Sequence, residues 1–413
     1  MRNDKSFLSI ILIFLSLLLS GCGKKAEENQ LRTIKFSWWG SESRADYTLK
    51  GIEAFEAENP SVKIEAEYDT WSRYEKTFEE DVAAGQSADV MQINFDWLDK
   101  YSPDGKGFYD INTLAEYVDL YNYTLNDLDY GTIKGKLNAI PIAFNTAIPV
   151  FDKTFFEKNS LKIPSTWDEL FALAKILKQK DMYVFTLSNR HLLFLAIAWF
   201  EQTFSKRVFN QSGGLNISEE EVGQIFDFVR RLVQENVIYS PTRGFKISAL
   251  REGKIVGALL WCNEISLFVK EVESLGGSAA LGNFITTPGA SESGWYLKPA
   301  SMYAIKKDCK NPEAAAKFLN YLLNNQDFAL LQKNDKGVPV SNKSLTALME
   351  NNQLESLQYF ALMKIRFNRG SINAMIPVMD DNTVIKSFAE NAFDYADGKA
   401  SKADSVKSFL ENW

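Results

Sequence analysis

Beyond residue 31 the apolar positions recur with two alternating spacings, and each switch marks a new element. Thr33-Ile34-Lys35-Phe36-Ser37-Trp38-Trp39 reads as a strand that ends at Gly40. From Arg44 to Glu58 the spacing lengthens to helical, with Leu49, Ile52 and Phe55 on one face and a stop at Asn59-Pro60. Val62 to Tyr68 returns to period two, Arg73 to Ala84 predicts a second helix ended by Gly85, and Asp89 to Ile93 predicts a third strand. This βαβαβ order implies a parallel sheet with helices on both faces. Ligands of such sheets sit outside the carboxyl ends of the strands. Trp38-Trp39-Gly40-Ser41-Glu42 and Asn94-Phe95-Asp96-Trp97 both fall at such ends.

A second α/β unit begins after Gly135 to Pro141. Thr166-Trp167-Asp168-Glu169 has the spacing of a capping box, in which the hydroxyl accepts from the Glu169 amide while Glu169 reaches back. Leu170, Leu173, Ala174 and Leu177 then form the stripe of that helix. Further helices are predicted over 192–203, 219–235, 312–323, 325–332 and 384–396. The length of 413 residues sets two lobes as the starting expectation.

The first thirty residues follow a different pattern. Arg2 and Lys5 precede an apolar run from Phe7 to Leu19, which matches a secretion signal better than a membrane span. Leu19-Ser20-Gly21-Cys22 follows at once and is similar to a bacterial lipobox, which implies lipidation of Cys22 after removal of residues 1–21. Residues 22–32 are polar and suit a tether.

Composition removes several classes of function. The net charge of -7 leaves no basic footprint for nucleic acid and no polybasic patch. His191 is the single histidine, and no Cys/His set has ligand spacing, so neither a metal nor another cofactor is expected. Cys262 and Cys309 are the cysteines left after Cys22; they read as small buried hydrophobes or as a disulfide.

Several segments together resemble the bacterial extracellular solute-binding proteins that serve carbohydrate importers. They are Ile34 to Gly40, Ala84 to Val90, Gly135 to Asn145, Pro164 to Leu170, Gly253-Lys254, Gly294 to Pro299, Asn311 to Phe318 and Gly337-Val338-Pro339, in family order. Ala88 departs from the pattern, because the family usually has proline before the Asp89 position. The resemblance implies an α/β, two-lobed, periplasmic-binding-protein-like (type II) fold with a hinge. Residues 33–143 with 289–343 would form one lobe, and 144–288 with 344–413 the other. It further implies a sugar or oligosaccharide as ligand, an ABC importer's membrane subunits as partner, and a monomer outside the cytoplasm, held to the membrane by lipidated Cys22.

A sugar needs an aromatic platform for its C–H face and charged or amide groups for its hydroxyls. Asp96 matches a sugar-contacting position of the family, with a helix cap as the alternative; Asn94 and Trp97 share its loop. Trp39, Glu42 and Arg44 occupy the first strand-to-helix loop, where opening the helix is the alternative. The family frame also places Asn145 at the first crossover, Arg190 ahead of His191 in the second lobe, and Trp261 with Glu264 after a strand. Trp295 and Tyr296, in an exposed Gly-Trp-Tyr, are expected to touch ligand. Asp380 and Asp381 precede a late helix near the cleft in the family frame, with Asp381 the ligand candidate and N-capping of that helix the alternative for both.

No catalytic motif stands out, so capture without chemistry is the leading expectation, ahead of a secreted glycoside hydrolase and of an adhesin. A peptide or phosphodiester remains the alternative solute. Arg44 and Arg190 equally suit a uronate.

Overall fold

A computed structural model describes residues 31–210, 212–239, 244–354, 357–368 and 371–411. The apolar leader, Cys22 and most of the tether lie outside the described residues. The first predicted unit is present: β1 (Arg32–Trp39), α1 (Glu42–Glu58), β2 (Val62–Asp69), α2 (Trp71–Ala84), β3 (Val90–Ile93) and the short α3 (Trp97–Tyr101). β1 pairs in parallel with both β2 and β3. Its alternation works as predicted, with Ile34, Phe36 and Trp38 fully buried. Gly85 ends α2 in the left-handed region, which a residue without Cβ adopts freely.

The chain then runs through β4 (Ala139–Asp152), α4 (Trp167–Lys178), β5 (Tyr183–Thr186), α5 (Asn189–Phe204), α6 (Glu219–Gln234), β6 (Ile255–Trp261), α7 (Ile265–Ser274) and β7 (Ala279–Leu281). Thr166 and Glu169 form the capping box that their spacing predicts, at the start of α4. α5 is apolar on nearly all sides, and it is accordingly buried along most of its length. β8 (Tyr296–Ile305), α8 (Pro312–Asn324), α9 (Gln326–Gln332), α10 (Asn342–Glu350), α11 (Leu357–Phe367), β9 (Asn373–Ala374), α12 (Asn382–Ala396) and α13 (Lys402–Glu411) complete the fold.

The strands order as β2-β1-β3-β8-β4-β6-β5, with β9 beside β8 and β7 beside β4. β4 holds this sheet together because it changes partners midway. Its first half, Ala139 to Thr146, runs antiparallel to β8. Its second half, from Ala147, runs antiparallel to β6 and β7. Both β4 and β6 are apolar almost without interruption, as strands covered on both faces must be.

The Gly337-Val338-Pro339 segment lies against β4 at this change of partner, where Ala143 bridges Pro339 and Val340 N donates to Ile142 O at 3.0 Å. Gly337 has φ +98, and a Cβ there would stand 2.8 Å from Ala143 Cβ. Cys262 and Cys309 are buried and unpaired. No described helix is long and apolar enough to cross a membrane.

Candidate ligand-binding cleft

The charged side chains that converge in this fold come from strand ends and the loops after them. Asp96 stands between β3 and α3, and Trp261 closes β6, followed by Glu264 at the start of α7. Arg190 and His191 open α5, where Ser188 caps the helix and its Oγ lies 2.9 Å from His191 Nδ1. Lys298 projects from β8, and Asp380 ends a 3-10 turn (Pro377–Asp380) just before α12.

Asp380 is the junction. The Lys298 ammonium donates to one of its carboxylate oxygens. Arg190 Nε lies 2.7 Å from the other, an ion pair set off the line that a hydrogen bond requires. Arg190 Nη2 donates instead to Asn382 Oδ1 at 2.9 Å. The Lys298 ammonium also sits 5.3 Å from the centre of the Trp261 ring. The His191 ring meets the same tryptophan edge-on at 5.4 Å.

Burial pushes the Asp96 carboxyl above the usual carboxylate range, with Lys298 opposing and Asp380 adding to the rise. Glu264 is raised by burial as well, and Arg190 pulls it back. These couplings place Asp96, Lys298, Asp380, Arg190 and Glu264 in one electrostatic set. Burial, helped by Arg190, drives the imidazole of His191 down to about 3, so it is neutral.

Nine buried side-chain nitrogen and oxygen atoms lack a hydrogen bond among the described residues, and four belong here: Arg190 Nε and Asp380 Oδ1, which face each other as the ion pair, and Asp96 Oδ1 and His191 Nε2, which have no partner. A buried polar atom without a partner is destabilising by about 1–3 kcal/mol. Such atoms are rare in native proteins and call for an explanation. A free carboxylate oxygen on Asp96 and a neutral imidazole nitrogen on His191 suit a ligand whose hydroxyls both donate and accept.

A cavity of about 760 Å³ opens between the start of α1, at Ser43 and Tyr47, and the residues after β6, at Asn263 and Ser266. Its volume is that of a small-molecule site. Asp335 lines it and holds Arg44: Arg44 Nε donates to Asp335 Oδ2 at 2.7 Å, and Tyr47 OH donates to the same oxygen at 3.0 Å.

The structure thus gathers Asp96, Arg190, Trp261 and Glu264 from the residues singled out in the sequence. Others it places elsewhere. Asn94 is half-buried in the Asp96 loop, and its carbonyl accepts from Trp97 N. Trp39 is half-buried against α2, Glu42 is exposed at the head of α1, and Arg44 is tied to Asp335. Trp97 is a core residue, 2% exposed, with its ring 4.2 Å from that of Phe78. Asn145 is buried at the change of partner in β4, donating to Asn263 Oδ1 at 3.0 Å. The exposure expected of Trp295 and Tyr296 is corrected. Trp295 is buried and its indole donates to Ile285 O at 3.0 Å, while the Tyr296 hydroxyl donates to the buried Glu201 at 2.8 Å. Asp381 caps α12 by accepting from Thr383 N at 2.7 Å, while its neighbour Asp380 holds Lys298 and Arg190.

Lys298 is the side chain of this cluster that sequence reasoning left out, and Asp380 was named only beside Asp381. Lys298 had a signal, as a lysine inside an otherwise apolar strand (Tyr-Leu-Lys-Pro-Ala-Ser-Met-Tyr-Ala-Ile).

Mixed strand order, a shared long strand and a polar cluster on its flank define a two-lobed solute-binding fold of the periplasmic type. Residues 50–355 match the family described as bacterial extracellular solute-binding protein, and the chain belongs to it. Among solved structures, a periplasmic solute binding protein from Pectobacterium atrosepticum is 28% identical with a TM-score of 0.83, covering 92% of this chain and 97% of that one. A periplasmic oligogalacturonide binding protein from Yersinia enterocolitica, in complex with saturated digalacturonic acid, is 26% identical with a TM-score of 0.79 over the same shares. The "Multiple sugar-binding protein" of Streptococcus mutans is 29% identical over 179 residues, which span 42% of this chain and 41% of that protein.

Proposed function

We propose that this protein captures a sugar or oligosaccharide between two lobes, without chemistry, and delivers it to an ABC importer. The observation that carries this reading is the pair of partnerless buried polar atoms, Asp96 Oδ1 and His191 Nε2, together with the charged cluster of Arg190, Asp380 and Lys298. Ligand hydroxyls would satisfy these atoms, while Trp261, only 7% exposed, backs His191 and Lys298. The sugar ligands named for the Streptococcus and Yersinia proteins point the same way.

The lobes are residues 33–143 with 289–343 and residues 144–288 with 344–413, hinged where β4 changes partners. Closure draws on the difference in ligand affinity between the open and closed forms. Cys22 carries the lipid that holds a monomer at the outer face of the membrane.

A uronate is the second reading, favoured by two cations, Arg190 and Lys298, that share the single carboxylate of Asp380. Thermal melting of the chain from residue 23 onward tests both readings, since a ligand that binds only the folded state raises the transition. A shift of several degrees with a neutral glycan series supports capture of neutral sugars, and a shift with galacturonides alone supports the second reading. A shift with peptides or phosphodiesters and none with any glycan overturns both.

A further inference from the structure

We infer that Trp71 and Glu75, on the first turns of α2, form a second sugar-binding subsite beside Asp96, with the indole as ring platform and the carboxyl as hydroxyl acceptor. This rests on the reading of the cleft as a glycan site and extends it to residues outside the Asp380 cluster.

Trp71 is the first residue of α2, immediately beyond the carboxyl end of β2, so it stands on the edge of the sheet where ligands of this architecture sit. It is 38% exposed, while Trp97 beneath it is 2% exposed. The two rings stack at 5.8 Å with 21° between their planes, and Trp39 braces Trp71 edge-on at 4.9 Å. Trp97 is itself fixed by Phe78 on α2 at 4.2 Å. The indole of Trp71 is therefore held on one side by a buried aromatic stack, and more than a third of the residue still faces solvent. A tryptophan so fixed presents a rigid apolar surface, and little side-chain entropy would be lost on binding.

Glu75 lies four residues on, on the same face of α2. It is half-buried, and both its burial and the nearby Asp96 push its carboxyl up. Asp96 in turn offers the partnerless Oδ1 of the main cluster. Glu75 thus couples electrostatically to Asp96, and Asp96 to Lys298 of β8, while Trp71 stands one helical turn from Glu75. Aromatic area beside carboxylates is the chemistry of a hydroxyl-rich ring, and two acidic groups disfavour a phosphodiester.

The test uses the full-length chain in mild detergent. Calorimetric titration against malto-, xylo-, manno- and galacturono-oligosaccharides of two to four units would be made for wild type, Trp71→Ala, Trp71→Phe and Glu75→Gln. The expected result is a glycan bound by wild type whose affinity falls at least tenfold in Trp71→Ala, within threefold in Trp71→Phe, and three- to tenfold in Glu75→Gln. If Trp71→Ala does not fold, unchanged affinity in both other variants overturns the subsite. Equal affinity in wild type and a folded Trp71→Ala also overturns it and leaves sugar capture standing. Wild type that binds no member of the series removes the sugar reading and this subsite together.

Discussion

Arg190, at the head of α5, and Asp380, in the turn before α12, meet at 2.7 Å across the flank of the sheet. Lys298 of β8 takes the other oxygen of the same carboxylate. Three distant segments are thereby fixed by one side chain. In the proposed site Asp380 also holds two cations in place, so they need not be ordered on binding. Preorganisation of this kind improves affinity mainly by reducing the entropy lost on association.

Asp96→Ala and Arg190→Ala should each weaken glycan binding by about ten- to a hundredfold, the range for losing one charge-assisted hydrogen bond of roughly 1.5–3 kcal/mol. Calorimetry reads the loss. The melting temperature of the free protein should change little for Asp96→Ala, because Asp96 Oδ1 gives up no hydrogen bond. Affinities within threefold of wild type for both variants would remove the cluster from the site.

Trp97→Ala and Trp295→Ala should act on stability. Each ring is 2% exposed and packed in a core cluster, so truncation should destabilise the fold by about 3–5 kcal/mol. Urea unfolding measures it. Trp295→Ala protein that remains folded should bind within threefold of wild type. A stable Trp295→Ala with lost binding would return that residue to the ligand.

The parallel β1–β3 unit and α5 were legible because their spacing reports burial directly: Ile34, Phe36 and Trp38 alternate, and α5 is apolar from Leu192 to Phe200. The Thr166–Glu169 box was legible because capping is local in sequence. The cleft was only half legible. Asp96 and Trp261 are placed by strand ends, which the pattern marks. Which of two adjacent residues joins the charged cluster depends on a single backbone turn: Asp380 takes Lys298, and Asp381 caps α12. Trp295 looked exposed because Gly294 precedes it, yet that glycine (φ +63) presses against Ala198 of α5, where a Cβ would stand 2.5 Å from its Cα, and seals the tryptophan inside. Such tertiary contacts leave no trace in spacing.

His191 should not titrate across the physiological range. Its imidazole is lowered to about 3 by burial and by Arg190, so its contribution to stability is whole above the ordinary value of 6.5 and is lost as pH falls through about 3. It is the chain's only histidine, so its imidazole proton resonances are identifiable without assignment. They should keep their neutral-form shifts from pH 8 down to pH 5. A transition near 6.5 would show an imidazole open to water and would remove the partnerless Nε2 from the argument for a ligand.

Glu201 should make the protein less stable as pH rises. The residue is fully buried in α5, and burial lifts its carboxyl to about 7, opposed by hydrogen bonds from Val208 N at 2.9 Å and the Tyr296 hydroxyl at 2.8 Å. A carboxyl raised in the folded state holds its proton longer than in the unfolded chain. The stability this supplies is complete below 4.5 and is lost as pH rises through about 7. The shift corresponds to about 2–3 kcal/mol between pH 5 and pH 8. Glu201→Gln keeps a carbonyl to accept from Val208 N and has no charge to bury. Denaturant unfolding of both proteins at the two pH values should show wild type losing that amount relative to the variant. Equal pH slopes would mean that Glu201 ionises freely, and that its hydrogen bonds outweigh its burial.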